Sequence, residues 1–306
     1  MRKLITLVAA LVGALTISAA PAGAVTGNFV EDFEHPYVGL VAFYDAEGNF
    51  LWRCSGALIT DRVFLTAGHC TEQDVPEGEP QPVMARIWFH QNVGGEFAPP
   101  DVPEDPNTGY PNRCLPGDPL CVESTLLFDF GFNDFQGFPN NRDIGLIILP
   151  EDQAVQLPEY GILAEAGFLD SLVTQRGRQD VTFTVTGYGV SLTNPTRTVS
   201  FRERLMAESQ LVNLNSALNY GFNLQLSSAP AQGRGGTCFG DSGGPVFYGG
   251  FESNIIVGVN SFVLNGNCRG VGFAFRTDTE AVINWILEIV ARYAPEELDE
   301  IQFASA

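Results

Sequence analysis

The sequence predicts an all-β fold that ends in one α-helix. Short apolar runs rich in β-branched and aromatic residues recur along the chain, and Gly, Pro, Asn and Asp bound them, as is typical of strands. One stretch has helical periodicity, beginning near Thr277 and ending before Pro295. The chain has 45% hydrophobic and 17% charged residues, with 33 Gly and 19 Pro. This composition indicates a loop-rich globular protein with a sizeable core.

The predicted strands are the apolar runs at residues 37–44, 57–65, 83–89, 144–149, 181–186, 255–259 and 271–275. Pro, Gly, Asp and Asn dominate between Thr71 and Pro139, which predicts long surface loops around the strand at 83–89. The acidic segment 294–306 is weakly periodic and is predicted to be a mobile tail. A length of 306 residues allows one domain or two.

The first 24 residues are predicted to be a secretory signal peptide. Arg2 and Lys3 precede an apolar run at 4–17, and the small residues 22–24 (A-G-A) form a cleavage site after Ala24. Residues 18–20 (S-A-A) offer a second possible cleavage site, and a buried N-terminal helix is the alternative interpretation. The apolar run is too short to span a membrane comfortably, so we expect a soluble, extracellular product.

The six cysteines and the net charge limit the partners of the protein. In an exported chain, cysteines without C-x-x-C spacing favour disulfides over metal ligands. The formal charge of −20 repels nucleic acids and anionic membranes. H-E-x-x-H and EF-hand patterns are absent from the sequence. We therefore expect no nucleic-acid or membrane partner, no cofactor and no metal.

Residues 240–245 read G-D-S-G-G-P and place Ser242 among glycines, where the backbone can turn sharply. The pattern G-x-S-x-G alone is ambiguous, because it also marks the nucleophile of α/β-hydrolases, in which the histidine follows the serine. The only histidines here are His35, His69 and His90, and all of them precede Ser242. A serine–histidine pair must therefore run in the order His then Ser.

Two further segments complete a pattern. Residues 65–70 (L-T-A-G-H-C) place His69 at the end of an apolar strand, and residues 141–149 place Asp143 at the start of another. The motifs T-A-G-H-C, D-I-G-L and G-D-S-G-G-P, in this order, resemble the trypsin/chymotrypsin family of serine proteases. The resemblance extends from about residue 25 to the terminal helix and weakens through 71–139. It implies two six-stranded antiparallel β-barrels packed together with a C-terminal α-helix, in one domain spanning 25–293.

The chemistry of this family requires the three residue types together. A serine hydroxyl is a poor nucleophile until an imidazole accepts its proton, and a carboxylate must hold that imidazole in the right tautomer. The resemblance assigns these roles to Ser242, His69 and Asp143, and the oxyanion hole to the N–H groups of Gly240 and Ser242. Taken singly, the aspartate could be a solvated turn residue and the His-Cys pair structural. We interpret His35 and His90 as ordinary surface or core residues.

The resemblance also implies the disulfides and the route of activation. It pairs Cys54 with Cys70 and Cys238 with Cys268, which leaves Cys114 and Cys121 as the third pair. Cleavage after Ala24 would leave V-T-G-N at the N-terminus, which resembles the I-V-G-G of the family. The freed ammonium of Val25 would then pair with Asp241, so that signal peptidase itself would produce active enzyme. Thr26 and Asn28 depart from the family pattern, and a zymogen that needs another protease is the alternative.

The residues implied for the substrate pocket argue against cleavage after basic residues. Where an aspartate would bind Arg or Lys in the family, this sequence has Gly236, and Val263 replaces a wall glycine. We expect small or medium apolar residues before the cut bond. The implied pocket residues are Gly236, Thr237, Phe239, Ser261, Phe262 and Val263, and the resemblance also places Ser261 beside the catalytic aspartate.

The resemblance thus implies a secreted serine endopeptidase that acts through an acyl-enzyme. We expect protein or peptide substrates, protein protease inhibitors as further partners, and a monomer. Two alternatives remain: a binding protein on the same scaffold, and an esterase or acyl-transferring enzyme with the same triad.

Overall fold

The computed structural model describes residues 25–75, 78–93, 113–173, 181–194 and 196–306. The predicted signal peptide at 1–24 lies outside the described residues. Residues 76–77 and 94–112 of the predicted loop region also lie outside them.

The first barrel is an antiparallel sheet of seven strands. Its edge strands, Cys121–Ser124 and Leu126–Asp129, are separated only by Thr125, so the chain passes directly from one edge of the sheet to the other and the sheet closes. The strands, in spatial order, are Cys121–Ser124, Met84–Trp88, Val38–Tyr44, Phe50–Leu58, Val63–Thr66, Gly145–Ile148 and Leu126–Asp129.

The second barrel is a closed ring of six antiparallel strands, because the first strand of the path also pairs with the sixth. These strands, in spatial order, are Pro245–Tyr248, Thr182–Gly187, Leu205–Asn213, Asn223–Ser227, Val271–Arg276 and Ile255–Val263. The short strands Val30–Glu31, Ile162–Ala164 and Phe303–Ala304 extend this sheet. Shorter pairs join Thr26–Gly27 to Gly235–Gly236 and Leu192–Asn194 to Arg197–Val199. The predicted two-barrel, all-β fold is confirmed, with the predicted six strands in the second barrel and seven in the first, where Thr125 divides the stretch 121–129 into two strands.

The cores of the two barrels meet at their interface. Phe247, Val259 and Phe275 of the second barrel belong to the same buried apolar cluster as Phe43 and Phe64 of the first. A separate cluster fills the second barrel. Apolar burial therefore fixes one barrel against the other, and with them the groove between them.

The helix Glu280–Tyr293 begins and packs as its sequence predicts. The Thr279 side chain accepts a hydrogen bond from the N–H of Val282, an N-cap contact. Val282, Ile286 and Val290 are fully buried, and their spacing of four places them on one face. They join the first barrel's apolar cluster, so the C-terminal helix reaches back to the N-terminal barrel. The other helices are Gly68–Thr71 and Asp170–Val173, with 3₁₀ turns at Glu151–Gln153, Pro230–Gln232 and Pro295–Glu297.

The structure differs from the sequence predictions at several points. The region predicted to be long surface loops around the strand at 83–89 also contains the strands Cys121–Ser124 and Leu126–Asp129, whose pairing partners lie elsewhere in the chain. The run at 57–65 belongs to two strands, because the Thr60 hydroxyl accepts hydrogen bonds from the N–H groups of Arg62 and Val63 and makes a turn between them. The segment 294–306 is packed, since Ile301 is buried and Phe303–Ala304 pairs in parallel with Ile162–Ala164. Its isolated apolar residues anchor a segment whose acidic composition suggested mobility.

Within the described residues, no helix has the length and apolarity needed to cross a membrane.

Replacing Ile286 by Ala should lower the free energy of unfolding by about 2–5 kcal/mol, because it leaves a cavity at a fully buried site. The exposed Glu288 on the same helix provides the control, and Glu288→Ala should change stability by less than about 0.5 kcal/mol. Urea unfolding of both variants measures the difference. Equal, small losses would contradict the packing of this helix.

Candidate active site

Two neighbouring strands bring His69 and Asp143 together. His69 lies in the helical turn that follows the strand Val63–Thr66, and Asp143 lies just before the strand Gly145–Ile148. These strands are antiparallel partners with Thr66 opposite Gly145, so the end of one and the start of the other lie side by side. The Cys54–Cys70 disulfide joins the turn that carries His69 to the adjacent strand.

Asp143 is a fully buried carboxylate that holds the imidazole. Its oxygens accept hydrogen bonds from His69 Nδ1 at 2.9 and 3.0 Å, from the N–H of His69 at 2.8 Å, and from the hydroxyl of Ser261. Burial alone would raise the pKa of Asp143, but the charge and hydrogen bonds of His69 and the Ser261 hydroxyl outweigh it and lower that pKa. The carboxylate is therefore ionised at neutral pH.

The pKa of His69 shifts in the opposite direction. Burial acts to lower it, but the charge and hydrogen bond of Asp143, with a smaller contribution from Glu72, raise it above its ordinary value. Because an ionised carboxylate can only accept, Nδ1 of His69 must carry a hydrogen. In the neutral ring this leaves Nε2 as the proton acceptor, the tautomer that a general base needs.

Ser242 lies on a glycine-rich turn against the first barrel. Gly243 has φ +78°, and a Cβ there would lie 2.1 Å from Thr66 Oγ1, so a larger residue cannot follow the serine without displacing the first barrel. The carbonyl of Ser242 accepts from the N–H of Ser55 at 2.7 Å. Ser242 and His69 line the same cleft, and among the described contacts no hydrogen bond joins the two side chains. Such bonds are often long in ligand-free sites.

Gly240 and Ser242, the residues predicted to form the oxyanion hole, lie in the same tight turn. Gly240 has φ +93°, which favours glycine, and its carbonyl accepts from Ser55 Oγ at 2.9 Å. Within the described residues, neither the N–H of Gly240 nor that of Ser242 donates to a protein acceptor. These two donors are thus available to a ligand.

Asp241 is a second fully buried carboxylate, but its surroundings differ. It accepts from the N–H groups of Gly189 at 2.8 Å and Cys238 at 2.9 Å. Burial raises its pKa to about 7, with the two backbone hydrogen bonds and the charge of Arg53 opposing the rise. Val25 is fully buried, and Thr26–Gly27 pairs with Gly235–Gly236. In the uncleaved chain the Val25 nitrogen is part of a peptide bond and carries no charge.

The cleft beside His69 and Ser242 has a volume of about 330 Å³ and is largely apolar. Its lining residues are His69, Phe132, Asp134, Phe135, Thr237, Cys238, Phe239, Ser242, Asn260, Ser261, Phe262 and Val263. Five of the six predicted pocket residues are among them. The sixth, Gly236, lines a small adjoining cavity together with Thr237 and Gly272.

The floor and wall of this region leave little space. A Cβ on Gly236 would lie 2.2 Å from the Cβ of Ser228, so a side chain there would need the neighbouring strand to move. Val263 and Gly272 are paired residues of the antiparallel strands Ile255–Val263 and Val271–Arg276. This register places the pair beside the Thr237 hydroxyl. The cleft therefore offers an apolar wall at Val263 and no carboxylate at its floor.

Phe132 and Phe135 line the cleft, although the sequence did not predict them there. Phe132 lies 5.8 Å from the ring of His69, and Phe135 packs edge-on to Phe262 at 5.5 Å. Phe262 stacks on Phe273 at 4.5 Å with an interplanar angle of 4°. Phe132 and Phe135 fall in the region predicted to be surface loop. The phenylalanine-rich run at 131–138 (G-F-N-D-F-Q-G-F) was the signal available in the sequence.

The remaining histidines and cysteines lie in structural settings. His35 is buried, stacks on Phe247 and hydrogen-bonds to Asp32, whereas His90 lies 3.4 Å from Asp118. The other disulfides join Cys238 to Cys268, as the resemblance implies, and Cys114 to Cys121, the pair left by elimination.

One group of potential metal ligands occurs in the described part of the chain, formed by His69 with Cys54 and Cys70. The two sulfurs are bonded to each other, so they supply no thiolate to a metal.

This chain is similar to known proteins in part of its sequence and in its fold. The protein-family model described as Trypsin matches residues 139–286. A search of curated protein sequences gave no match. Among solved structures, HL collagenase is 19% identical with a TM-score of 0.56, and the alignment covers 87% of this chain and 96% of the collagenase.

Two structures of a second protein are also similar. A mutant of human heparin binding protein is 17% identical with a TM-score of 0.54, over 88% of this chain and 97% of that one. An atomic-resolution structure of HBP is 17% identical with a TM-score of 0.56, over 87% of this chain and 96% of that one. The family match, the two barrels and the C-terminal helix together show that this chain has the chymotrypsin-like serine protease fold of the trypsin family.

Proposed function

We propose that this protein is a secreted serine endopeptidase with Ser242 as nucleophile, His69 as general base and Asp143 as the orienting carboxylate. The observation that carries the proposal is the His69 imidazole, which is hydrogen-bonded on one side to buried Asp143 and lines the same cleft as Ser242. Protein and peptide substrates are the class on which trypsin-family enzymes act.

The proposed reaction follows from the proton positions. Nε2 of His69 accepts the Ser242 hydroxyl proton as Oγ attacks the scissile carbonyl carbon, and the carbonyl oxygen becomes an oxyanion. The N–H groups of Gly240 and Ser242 would stabilise this oxyanion by about 3 kcal/mol each. The intermediate then collapses as His69 returns the proton to the leaving amine. A water molecule hydrolyses the acyl-enzyme by the same route, and Asp143 remains ionised throughout.

The cleft supports a preference for small or medium apolar residues before the cut bond. A cationic side chain would find no carboxylate at Gly236, since the carboxylate that lines the cleft, Asp134, belongs to an exposed residue. Val263 occupies wall space that a glycine would leave open. The small cavity at the floor is lined by the polar side chains of Thr237, Ser209 and Asn260 as well as by apolar groups.

A binding role without hydrolysis is the second candidate. It is favoured by one observation: a protein with the same fold is named for binding heparin. Heparin itself is an unsuitable ligand here, because a polyanion is repelled by a formal charge of −20.

Export and activation form part of the proposal. Removal of residues 1–24 would convert Val25 into a buried ammonium beside Asp241, and leave a domain at 25–293 followed by the segment 294–306. The burial of Val25 and the pairing of Thr26–Gly27 with Gly235–Gly236 support this arrangement. We further propose an extracellular monomer, with protein protease inhibitors as partners.

The triad can be tested by labelling the protein that starts at Val25 with a fluorophosphonate probe, which reacts with activated serines. We expect wild type to be labelled and Ser242→Ala and His69→Ala to be unlabelled, because the first lacks the nucleophile and the second lacks the base. Ser253→Ala, which alters a serine outside the cleft, is the control and should be labelled normally. A folded wild type that does not react would instead support the binding role.

The pocket can be tested with peptides that differ only in the residue before the cut bond. Wild type should prefer Ala or Val over Lys, and Val263→Gly should raise kcat/KM for Phe relative to Ala by about tenfold, because it widens the pocket. Val212→Gly on the exposed surface of the second barrel should leave this ratio unchanged. A wild-type preference for Lys would overturn the proposed specificity.

Asp241 makes the stability of the uncleaved chain depend on pH. Its folded-state pKa of about 7 exceeds the value near 4 of an unfolded aspartate, so the folded state binds the proton more tightly. Its contribution is therefore complete below about pH 4 and is lost as pH rises to about 7. Subtracting the unfolding free energies of Asp241→Asn from those of the wild type across this range should show the loss.

In the chain that starts at Val25, the ammonium should stabilise ionised Asp241 and reduce that loss at pH 7. The amino pKa is then raised in the folded state, so its stabilisation is present at low and neutral pH and fades as pH rises through that value. If the Val25-started and uncleaved chains show the same pH dependence, the ion pair does not form.

A further inference from the structure

We propose that Asn141 is a positioning residue of the catalytic site, which fixes the direction of the Ser261 hydroxyl and through it the charge and orientation of Asp143. This inference rests on the proposed function and deepens it. Three buried groups form a continuous chain of hydrogen bonds. Asn141 Nδ2 donates to Ser261 Oγ at 3.1 Å, and the Ser261 hydroxyl donates to Asp143, which also accepts from His69 Nδ1.

The direction of this chain follows from counting hydrogens. Ionised Asp143 can only accept, so the single hydrogen of the Ser261 hydroxyl must point at it. The oxygen of Ser261 then has lone pairs that need a donor, and the amide group of Asn141 supplies one. If the amide were turned over, its oxygen would compete with Asp143 for the same hydrogen. The three groups therefore have one consistent arrangement, in which the amide of Asn141 occupies a lone pair of Ser261 and keeps the hydroxyl hydrogen directed at Asp143.

The backbone brings both ends of the chain to one hydroxyl. Asn141 and Asp143 are two residues apart, and Arg142 between them has φ +53°, a conformation that non-glycine residues seldom adopt. The N–H of Ile144 donates to the carbonyl of Arg142 at 2.9 Å and closes a tight turn. Because of this turn, the side chains on either side of Arg142 both reach Ser261, which lies on the other barrel.

The amide of Asn141 is energetically unfavourable at this buried position, which supports a role beyond packing. Asn141 is fully buried, and its Oδ1 has no hydrogen-bond partner in the described structure. A buried acceptor without a partner destabilises the fold, and an apolar side chain would avoid that loss. The amide contributes one hydrogen bond in return, and that bond is made to the serine that holds the catalytic carboxylate.

The direct test is the titration of His69, followed by NMR of the labelled imidazole carbons. The chain has only three histidines, and the signals missing from His69→Ala assign those of His69. In Asn141→Ala the Ser261 hydroxyl loses its constraint, so Asp143 is less well neutralised and the pKa of His69 should rise. In Asn141→Asp the new carboxylate accepts the Ser261 hydrogen and adds a negative charge, so the rise should be larger. Asn140→Ala, in the same loop, should leave the titration unchanged.

A second variant separates positioning from general packing. In a Ser261→Ala background the link between Asn141 and Asp143 is absent, so adding Asn141→Ala should shift the His69 titration no further. We also expect Asn141→Ala to lower kcat by about tenfold with little change in KM, as for the loss of an orienting contact. Asn141→Asp keeps the shape of the side chain and serves if Asn141→Ala does not fold.

The outcomes distinguish this inference from the proposed function. An unchanged His69 titration in folded Asn141→Ala and Asn141→Asp, or a shift that persists in full without Ser261, would overturn the role of Asn141. The NMR measurement needs no turnover, so it decides the question even if wild type fails to react with the fluorophosphonate probe. Failure of that labelling would count against the proposed function alone.

Discussion

The burial of the Asp143 carboxylate is the constraint on which the site depends. An ionised carboxylate removed from water is strongly destabilised unless charge and hydrogen bonds compensate it. Here the compensation comes from both barrels, since His69 belongs to the first and Ser261 to the second. The carboxylate has its full set of hydrogen bonds only when the barrels are packed together, so the completed site depends on that packing.

A second buried network joins the barrels on the side of the N-terminal segment. The Arg204 guanidinium, at the start of the second barrel, donates to the carbonyls of Asp32, Val38 and Phe89. Burial would raise the pKa of Asp32, but His35 and Arg204 outweigh it and hold that pKa low. The interface thus combines a continuous apolar core with the buried ions Asp32 and Arg204, whose opposite charges stabilise each other.

The sequence predicted the parts of the structure that local patterns determine. Strands such as Val38–Tyr44 and the helix Glu280–Tyr293 follow from apolar periodicity, and the motifs around His69, Asp143 and Ser242 are short and contiguous. Phe132 and Phe135 escaped prediction because their place in the cleft depends on distant residues, with Phe132 beside His69 and Phe135 against Phe262, more than a hundred residues away in the chain. The anchoring of the C-terminal segment was missed for the same reason, since pairing with Ile162–Ala164 leaves no local signature.

The two buried carboxylates of the site have pKa values shifted in opposite directions, because their surroundings differ. Asp143 has a histidine and a hydroxyl as partners, and its pKa lies below the ordinary value. Asp241 has two backbone N–H groups and a more weakly acting arginine, and burial raises its pKa to about 7. The first is an ion at any pH near neutrality, whereas the charge of Arg53 does not offset the effect of burial on the second. A cation formed beside Asp241 would change both its charge and the turn that carries Gly240 and Ser242. In the proposed activation, this carboxylate beside Ser242 in the chain is the point at which release of a new N-terminus would act on the site.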